Sequence, residues 1–453
     1  MQRDMDRRDL LKGVGVTGTM LLAGCTGDGG DGGDGGEDSD GNDTGGDTGN
    51  ETGNETGNET DGSGGGGADR EEAIKVGTLL PTTGDLGDLG KPIEDGATLP
   101  AKQLEGETDV QIDLRSEDSQ TDPSAAQSAA QSLVNAGYPA ITGAASSEVT
   151  IQVAQGVTIN NGIAQCSPAS TSPAITDLDD SGLVYRTPPT DALQGEVLAQ
   201  VARERIEAES AATMFVNNSY GQLLSESFAS AFEEGGGTVS QQVSFQKEQS
   251  SYTSRIEQAV SDDPDVMIAI GYPASGNQLF RDFYANFDQD LPILITDGLR
   301  DPALPSNVDN PMENVRGTAP LAAGPGTDFF NQLYQEEYGR EPGVFTAQAY
   351  DATACLILAN AAAGENTGSA VAEQMTNVAN EGGDTYTPEN LADAVAAAAN
   401  GDEINYQGAS SAVEFDENGD LTAATYELFG FTEDSESDTG YAIETIEEIE
   451  FSA

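Results

Sequence analysis

The sequence contains no histidine and no tryptophan. The first absence removes any mechanism built on an imidazole base and any metal site that needs a histidine ligand. Positive charge is scarce: 18 Lys and Arg stand against 79 Asp and Glu, a net charge of −61. Nucleic acid is therefore a poor partner, because phosphate binding needs clusters of Lys and Arg. Cysteine is nearly missing, with only Cys25, Cys166 and Cys355. Cys166 and Cys355 could pair, but nothing requires it, and an isolated Cys in an apolar segment more often serves as a small core hydrophobe. A Gly-x-Ser-x-Gly elbow, a phosphate loop and a His/Cys metal cluster are all lacking, which argues against an enzyme and against a cofactor or metal. Paired carboxylates carry no signal in so acidic a chain. The Asp/Gly run from Asp28 to Asp34 lacks the spaced ligands and closing Glu of a calcium loop. Long apolar runs are also missing: the stretch from Val14 to Ala23 is too short to span a bilayer, which takes about 20 residues.

What is there begins with that stretch. Arg7-Arg8-Asp9-Leu10-Leu11-Lys12 precedes it and resembles the twin-arginine export motif. It ends in Leu21-Leu22-Ala23-Gly24-Cys25, which resembles a lipobox. Residues 1–25 are thus expected to be an export signal, with Cys25 as the lipidated residue and the membrane reached through that lipid. Residues 26–70 are almost wholly Gly, Asp, Asn, Glu, Thr and Ser. Such a segment cannot offset its ordering entropy and is expected to be a disordered tether. Asn42, Asn50, Asn54 and Asn58 each begin an Asn-x-Thr glycan acceptor, although Asn and Thr are also ordinary linker residues. The broad acidity with little Lys resembles proteins of salt-loving archaea, whose self-repulsion is screened in molar salt, where the Debye length is about 3 Å.

From Ala73 the texture changes. Short apolar runs read as strands: Ile74 to Leu80, Val110 to Leu114, Ala140 to Thr142, Gly162 to Gln165, Ala211 to Val216, Thr238 to Phe245, Val266 to Ile270 and Leu291 to Thr296. Between them lie helical patterns, including Leu89 to Leu104, an Ala-rich helix opened by Asp122-Pro123, and helices from Leu193, Tyr220, Tyr252 and Gly276. This alternation predicts βαβ units with parallel sheets, an α/β fold. After Gly317 the pattern turns helical (Phe329 to Tyr338, Thr346 to Ala363, Leu391 to Ala399), and a strand-rich tail runs from Val413 to Phe451.

A set of short segments recurs in a characteristic order: Gly77-Thr78-Leu79-Leu80-Pro81-Thr82-Thr83-Gly84, Glu117-Asp118, Gly143-Ala144-Ala145-Ser146-Ser147, Ser167-Pro168-Ala169-Ser170-Thr171, Tyr185-Arg186-Thr187, Tyr220-Gly221, Gly271-Tyr272, Asp297-Gly298, Ala349-Tyr350-Asp351-Ala352 and Tyr406-Gln407-Gly408. In these the chain resembles the type I periplasmic binding proteins of branched-chain amino acid, amide and urea ABC importers. The resemblance implies two Rossmann-like lobes joined by three hinge crossings, near Thr187, Gly317 and Phe415. Residues 73–188 with 318–412 would form lobe 1, and residues 189–317 with 420–453 lobe 2. It also implies a small amino acid as ligand, an ABC permease as partner, and a place on the outer face of the membrane. A ligand-sensing receptor, an amide or urea binder and a structural surface glycoprotein are the competing readings.

An α-amino acid needs donors for its carboxylate and acceptors for its ammonium, in a site that excludes water. In open α/β sheets such sites lie at the carboxyl ends of strands. Ser147, Ser170 and Thr171 follow strands of the first half. The resemblance casts Ser147 and Thr171 as carboxylate-binding hydroxyls and Ser170 as a main-chain contributor. Asp297 follows a strand of the second half and matches the acid that takes the ammonium. Tyr220 and Tyr272 match residues that close over the ligand. Each has a plainer role available: helix cap for Ser147, turn residues for Ser170, Thr171 and Asp297, boundary aromatics for the tyrosines. Asp118 reads as a loop-pinning residue, and Asp416 to Asp420 as a turn. The chain departs from the family in lacking an aromatic between Thr82 and Leu89 and a first-lobe disulfide, which leaves side-chain specificity open.

Overall fold

The computed structural model describes residues 72–452. The export motif, Cys25 and the acidic tether lie outside the described residues. Two open sheets organise the rest. The first contains β1 (Ile74–Leu80), β2 (Ile112–Asp118), β3 (Ala140–Gly143), β4 (Ala164–Ser167) and β5 (Val184–Arg186), in the order β2-β1-β3-β4-β5, and every pairing is parallel. The second begins with β6 (Ser210–Val216), β7 (Thr238–Phe245), β8 (Val266–Ile270), β9 (Ile293–Ile295) and β10 (Val315–Pro320). A small parallel pair follows in the chain, β11 (Asp384–Tyr386) and β12 (Ile404–Tyr406). The last strands, β13 (Ala423–Glu433) and β14 (Tyr441–Ser452), complete the second sheet in the order β14-β13-β10-β9-β8-β6-β7, both antiparallel to their neighbours.

The inner strands carry no polar alternation because helices cover both faces of a parallel sheet. All five residues of β8, Val-Met-Ile-Ala-Ile, are buried. The first lobe is built round the helix Thr346–Ala363, which is buried from Thr346 to Ala361 on every side, as a helix apolar all round must be. Cys166 and Cys355 are free, buried thiols in this lobe. The helix Pro123–Asn135 is capped as its sequence predicts: Asp122 accepts from the Ala125 N–H at 2.8 Å with Pro at the first position.

The chain passes between the sheets three times. The first passage follows β5, where Thr187 donates to the Gln348 carbonyl at 2.8 Å. The third surrounds the Phe415–Leu421 bridge. They are tied together by Arg186, which is fully buried and grips Asp420 through Nε (2.5 Å) and Nη2 (2.8 Å) while donating to the Ser172 carbonyl at 2.8 Å. The second passage corrects the expectation of a crossing near Gly317. Thr318, Ala319 and Pro320 stay in β10, paired with β13, and the chain turns toward the first lobe only at Leu321–Gly324, where Ala323 donates to the Ser410 carbonyl. Gly317 is a packing glycine: a Cβ there would lie 2.3 Å from the Phe429 ring. One helix, Gly368–Ala379, falls where the sequence reading placed no element.

Candidate ligand-binding cleft

The parallel strands of both sheets deliver their carboxyl ends to one place between the lobes. β3 leads into Ser146 and Ser147 at the start of the helix Ser147–Val153. β4 leads into Ala169, Ser170 and Thr171. In the second lobe β6 leads to Asn218, whose side chain caps the helix Ser219–Glu234 by accepting from Gly221 at 2.9 Å, so Tyr220 sits in that helix's first turn. β8 leads through Gly271 to Tyr272, which immediately precedes the helix Pro273–Asn286. β9 leads into Thr296 and Asp297. Gly298 lets this turn pass close to β8, since a Cβ would lie 2.4 Å from the Gly271 carbonyl oxygen.

These ends border a small cavity of about 20 Å³. Its polar lining is Ser147, Tyr220, Tyr272 and Asp297; its apolar lining is Leu86, Leu89, Ile93, Ala145, Ala169 and Phe345, with Gly298. Four residues singled out in the sequence therefore face one cavity. The Tyr220 and Tyr272 rings stack nearly parallel, 5.5 Å between centroids and 10° apart. The Tyr272 hydroxyl accepts from Asn218 Nδ2 at 3.0 Å and shares a 3.1 Å hydrogen bond with Ser146 Oγ of the opposite lobe. The Tyr220 hydroxyl lies 2.6 Å from Thr296 Oγ1 and 3.4 Å from each Asp297 oxygen.

Asp297 is almost completely buried. Burial pushes its carboxyl up to about 6, and hydrogen bonds offset part of that shift. An acceptor so placed favours a cation that restores the solvation the site removed. Ser147 Oγ accepts from the Ser172 N–H at 3.3 Å, leaving its own proton to donate. Thr171 is buried and outside the cavity lining; its hydroxyl makes no well-formed hydrogen bond but lies near enough to the Asp191 carboxyl to lower that group's pKa in part. Ser170 departs from the expectation. Its hydroxyl faces Thr150 Oγ1 (2.7 Å) and the carbonyls of Ala144 and Ala145, and its N–H donates to Ser167 Oγ at 3.0 Å. Both its side chain and its main-chain donor are used inside the first lobe, so it braces the loop that carries Thr171.

Two features escaped the sequence reading. Asp191, at the start of the helix Asp191–Glu204, is fully buried with neither carboxylate oxygen partnered. Its pKa lies well above the usual range, first through burial and then through the charge of Asp297. In the sequence it hides behind the helix-start signature of Thr190, which caps it. The other is the apolar wall: Leu86 and Leu89 occupy the segment without aromatics, and the aromatic comes from Phe345. Asp118 does pin a loop, accepting from Thr82, Gln120 and the Thr83 hydroxyl.

The lobes touch across the cleft. Asp85 of the first lobe accepts from Ser275 Oγ (2.8 and 3.0 Å), and Lys247 of the second donates to the Thr121 carbonyl at 2.9 Å. Two α/β lobes with a buried polar cavity between their strand ends define the class of bilobed binding proteins. Residues 73–399 match the family described as periplasmic binding protein, and the chain belongs to that family. It is 28% identical over 389 residues to the chemotactic signal transduction system substrate-binding protein BasB of Halobacterium salinarum, covering 83% of this chain and 89% of that one. It is 26% identical over 216 residues to a Leu/Ile/Val-binding protein homolog of Brucella melitensis, covering 47% and 58%. In fold it is similar to a leucine-binding protein of Thermotoga maritima (TM-score 0.67, 23% identity, 82% of this chain and 98% of that one). A branched-chain amino acid transporter substrate-binding protein of Streptococcus pneumoniae in complex with isoleucine gives a TM-score of 0.66 at 18% identity, covering 84% and 100%. Among the described residues no helix is long and apolar enough to cross a membrane.

Proposed function

We propose that this chain is the extracytoplasmic substrate-binding protein of an ABC importer and captures an α-amino acid with an aliphatic side chain. The observation that carries the reading is the composition of the single cleft cavity. Ser147 on one lobe and a buried, solvation-starved Asp297 on the other line the same cavity, and Thr171 stands beside the buried Asp191 on the loop after β4. In this reading Ser147 and Thr171 donate to the ligand carboxylate and Asp297 accepts from its ammonium. The stacked tyrosines close over it, and Leu86, Leu89, Ile93 and Phe345 receive the side chain. A charge-assisted bond at Asp297 contributes about 1.5–3 kcal/mol. A ligand without a carboxylate, such as urea, would leave the serine and threonine donors unused. Arg7, Arg8 and Cys25 supply export and lipid anchoring in the same reading, which a Cys25→Ser variant tests by release from the membrane fraction.

Calorimetric titration of the purified protein in molar salt against an amino acid panel is the test. Saturable binding of leucine, isoleucine or valine is expected; no binding by any amino acid rejects the ligand class. The similarity to a chemotactic substrate-binding protein over most of its length favours a second reading, in which the same capture step reports to a signalling partner. Deleting the gene separates the two: importer function predicts lost uptake, signalling predicts lost attractant response with uptake intact.

A further inference from the structure

One outer face of the first lobe carries almost no charge. Charged residues make up 21% of the chain, yet between Asp122 and Asp177 there is only one, Glu148. Much of that stretch is strand and buried loop, but two of its helices expose a flank to solvent. The helix Pro123–Asn135 holds no charged side chain, whereas every other described helix of ten or more residues holds at least one. Ser124, Ser128, Gln131 and Asn135 stand at helical spacing on its outward side. The second helix runs from Ser147 through one π turn to Asn161, with Gln152 and Gln155 exposed. Gln127 Nε2 of the first helix donates to the Gln152 carbonyl of the second at 2.7 Å, so the two flanks form one continuous face. Asp122 and Glu148 both sit where their helices begin, which leaves the rest of each helix neutral.

We infer that a second copy of the chain docks on this face, giving a two-fold dimer through the first lobes. The chain has a net charge of −61. Two copies that met over most of their surface would set carboxylates against carboxylates, at a cost in repulsion and desolvation. The neutral face brings no such pairs together. Its Gln and Asn amides each offer donors and an acceptor. A two-fold contact sets the patch against its own copy, so like amides satisfy one another across it. A basic partner would find its counter-charges on the rest of the surface and nothing to pair with here.

Sedimentation velocity of the purified full-length chain in molar salt, over a concentration series, is the test. A concentration-dependent dimer is expected. Ser128→Glu places a carboxylate at an exposed position of the face. It should raise the dimer dissociation constant by about tenfold or more, because the two-fold mate brings a like charge. Gln155→Glu should act in the same direction through the second helix, and serves if Ser128→Glu does not fold. Gln258→Glu, exposed on the second lobe, should leave the dimer unchanged. Unfolding midpoints equal to that of the wild type check that the variants are intact. A chain that stays monomeric at every concentration overturns the dimer. So does a dimer that neither face variant weakens, or that Gln258→Glu weakens equally. A monomeric chain whose uptake function is lost in Ser128→Glu would assign the face to a transmembrane partner instead, and the dimer would fall with it.

Discussion

Asp297 carries a carboxyl raised to about 6 by burial, against 3.8 for the free group. A raised carboxyl means the folded protein holds a proton that the unfolded chain releases, so it adds stability at low pH that is lost as pH rises from about 4 to about 6. Asp351, also raised to about 6 by burial, acts with the same sign. If Asp297 takes the ligand ammonium as proposed, capture runs the other way, because the ammonium is held best by the carboxylate. Amino acid affinity is therefore expected to fall up to about tenfold per pH unit below pH 6, while the ligand-free protein becomes harder to unfold. Asp297→Asn should raise Kd by roughly tenfold to a hundredfold, from about 1.5–3 kcal/mol, and flatten the pH dependence. Asp290→Asn on the exposed surface should do neither; equal effects of the two would remove Asp297 from the site. That Ser147, Tyr220, Tyr272 and Asp297 would face one cavity was legible because each follows an apolar strand, and the carboxyl ends of strands meet there. The direction of the Ser170 hydroxyl was not, since sequence spacing fixes which loop a residue is on and not which carbonyls it meets there.

At the scale of elements the strands were the easiest to read. β6 and β8 fall where their apolar runs predict, because a strand covered on both faces leaves little room for polar residues. The helix Gly368–Ala379 went unread: its buried Val371, Met375 and Val378 keep helical spacing, but Gly, Ser, Asn and Gln between them blur the period. The crossing segments were harder still. Gly317 suggested a hinge, yet it is glycine because Phe429 packs on it, a contact more than a hundred residues away in sequence. What holds the crossings together is the buried pair Arg186–Asp420. Removing one partner leaves the other charged and without compensation. Asp420→Ala is expected to cost about 3–5 kcal/mol, read as a lower denaturant midpoint in molar salt. A change below about 1 kcal/mol would mean that the pair is no brace for the hinge.

The whole molecule sets its acidity against its need to close. The chain has a net charge of −61, and among the described residues the hydrogen bonds across the cleft include Asp85 with Ser275 and Ala274, Lys247 with Thr121, Ser146 with Tyr272, and Ser172 with Ser219. Of these, only the Lys247 bond brings a positive charge to the rim. Bringing two negatively charged lobes together costs Coulomb energy that depends on salt, with a Debye length of about 10 Å at 0.1 M and about 3 Å at 1 M. A zwitterionic amino acid carries no net charge, so the protein's field steers it little, and the repulsion between lobes governs the salt response. Amino acid affinity is thus expected to rise with salt, the reverse of ordinary charge-driven binding. Small-angle scattering of the ligand-free protein should show the lobes moving apart as salt is lowered from 1 M to 0.1 M. Ser275→Ala, which removes the donor from the buried Asp85 carboxylate, should shift that opening to higher salt. Affinity that falls with salt, with scattering unchanged, would show that closure does not oppose the surface charge, and the capture step would then owe its salt response to the site alone.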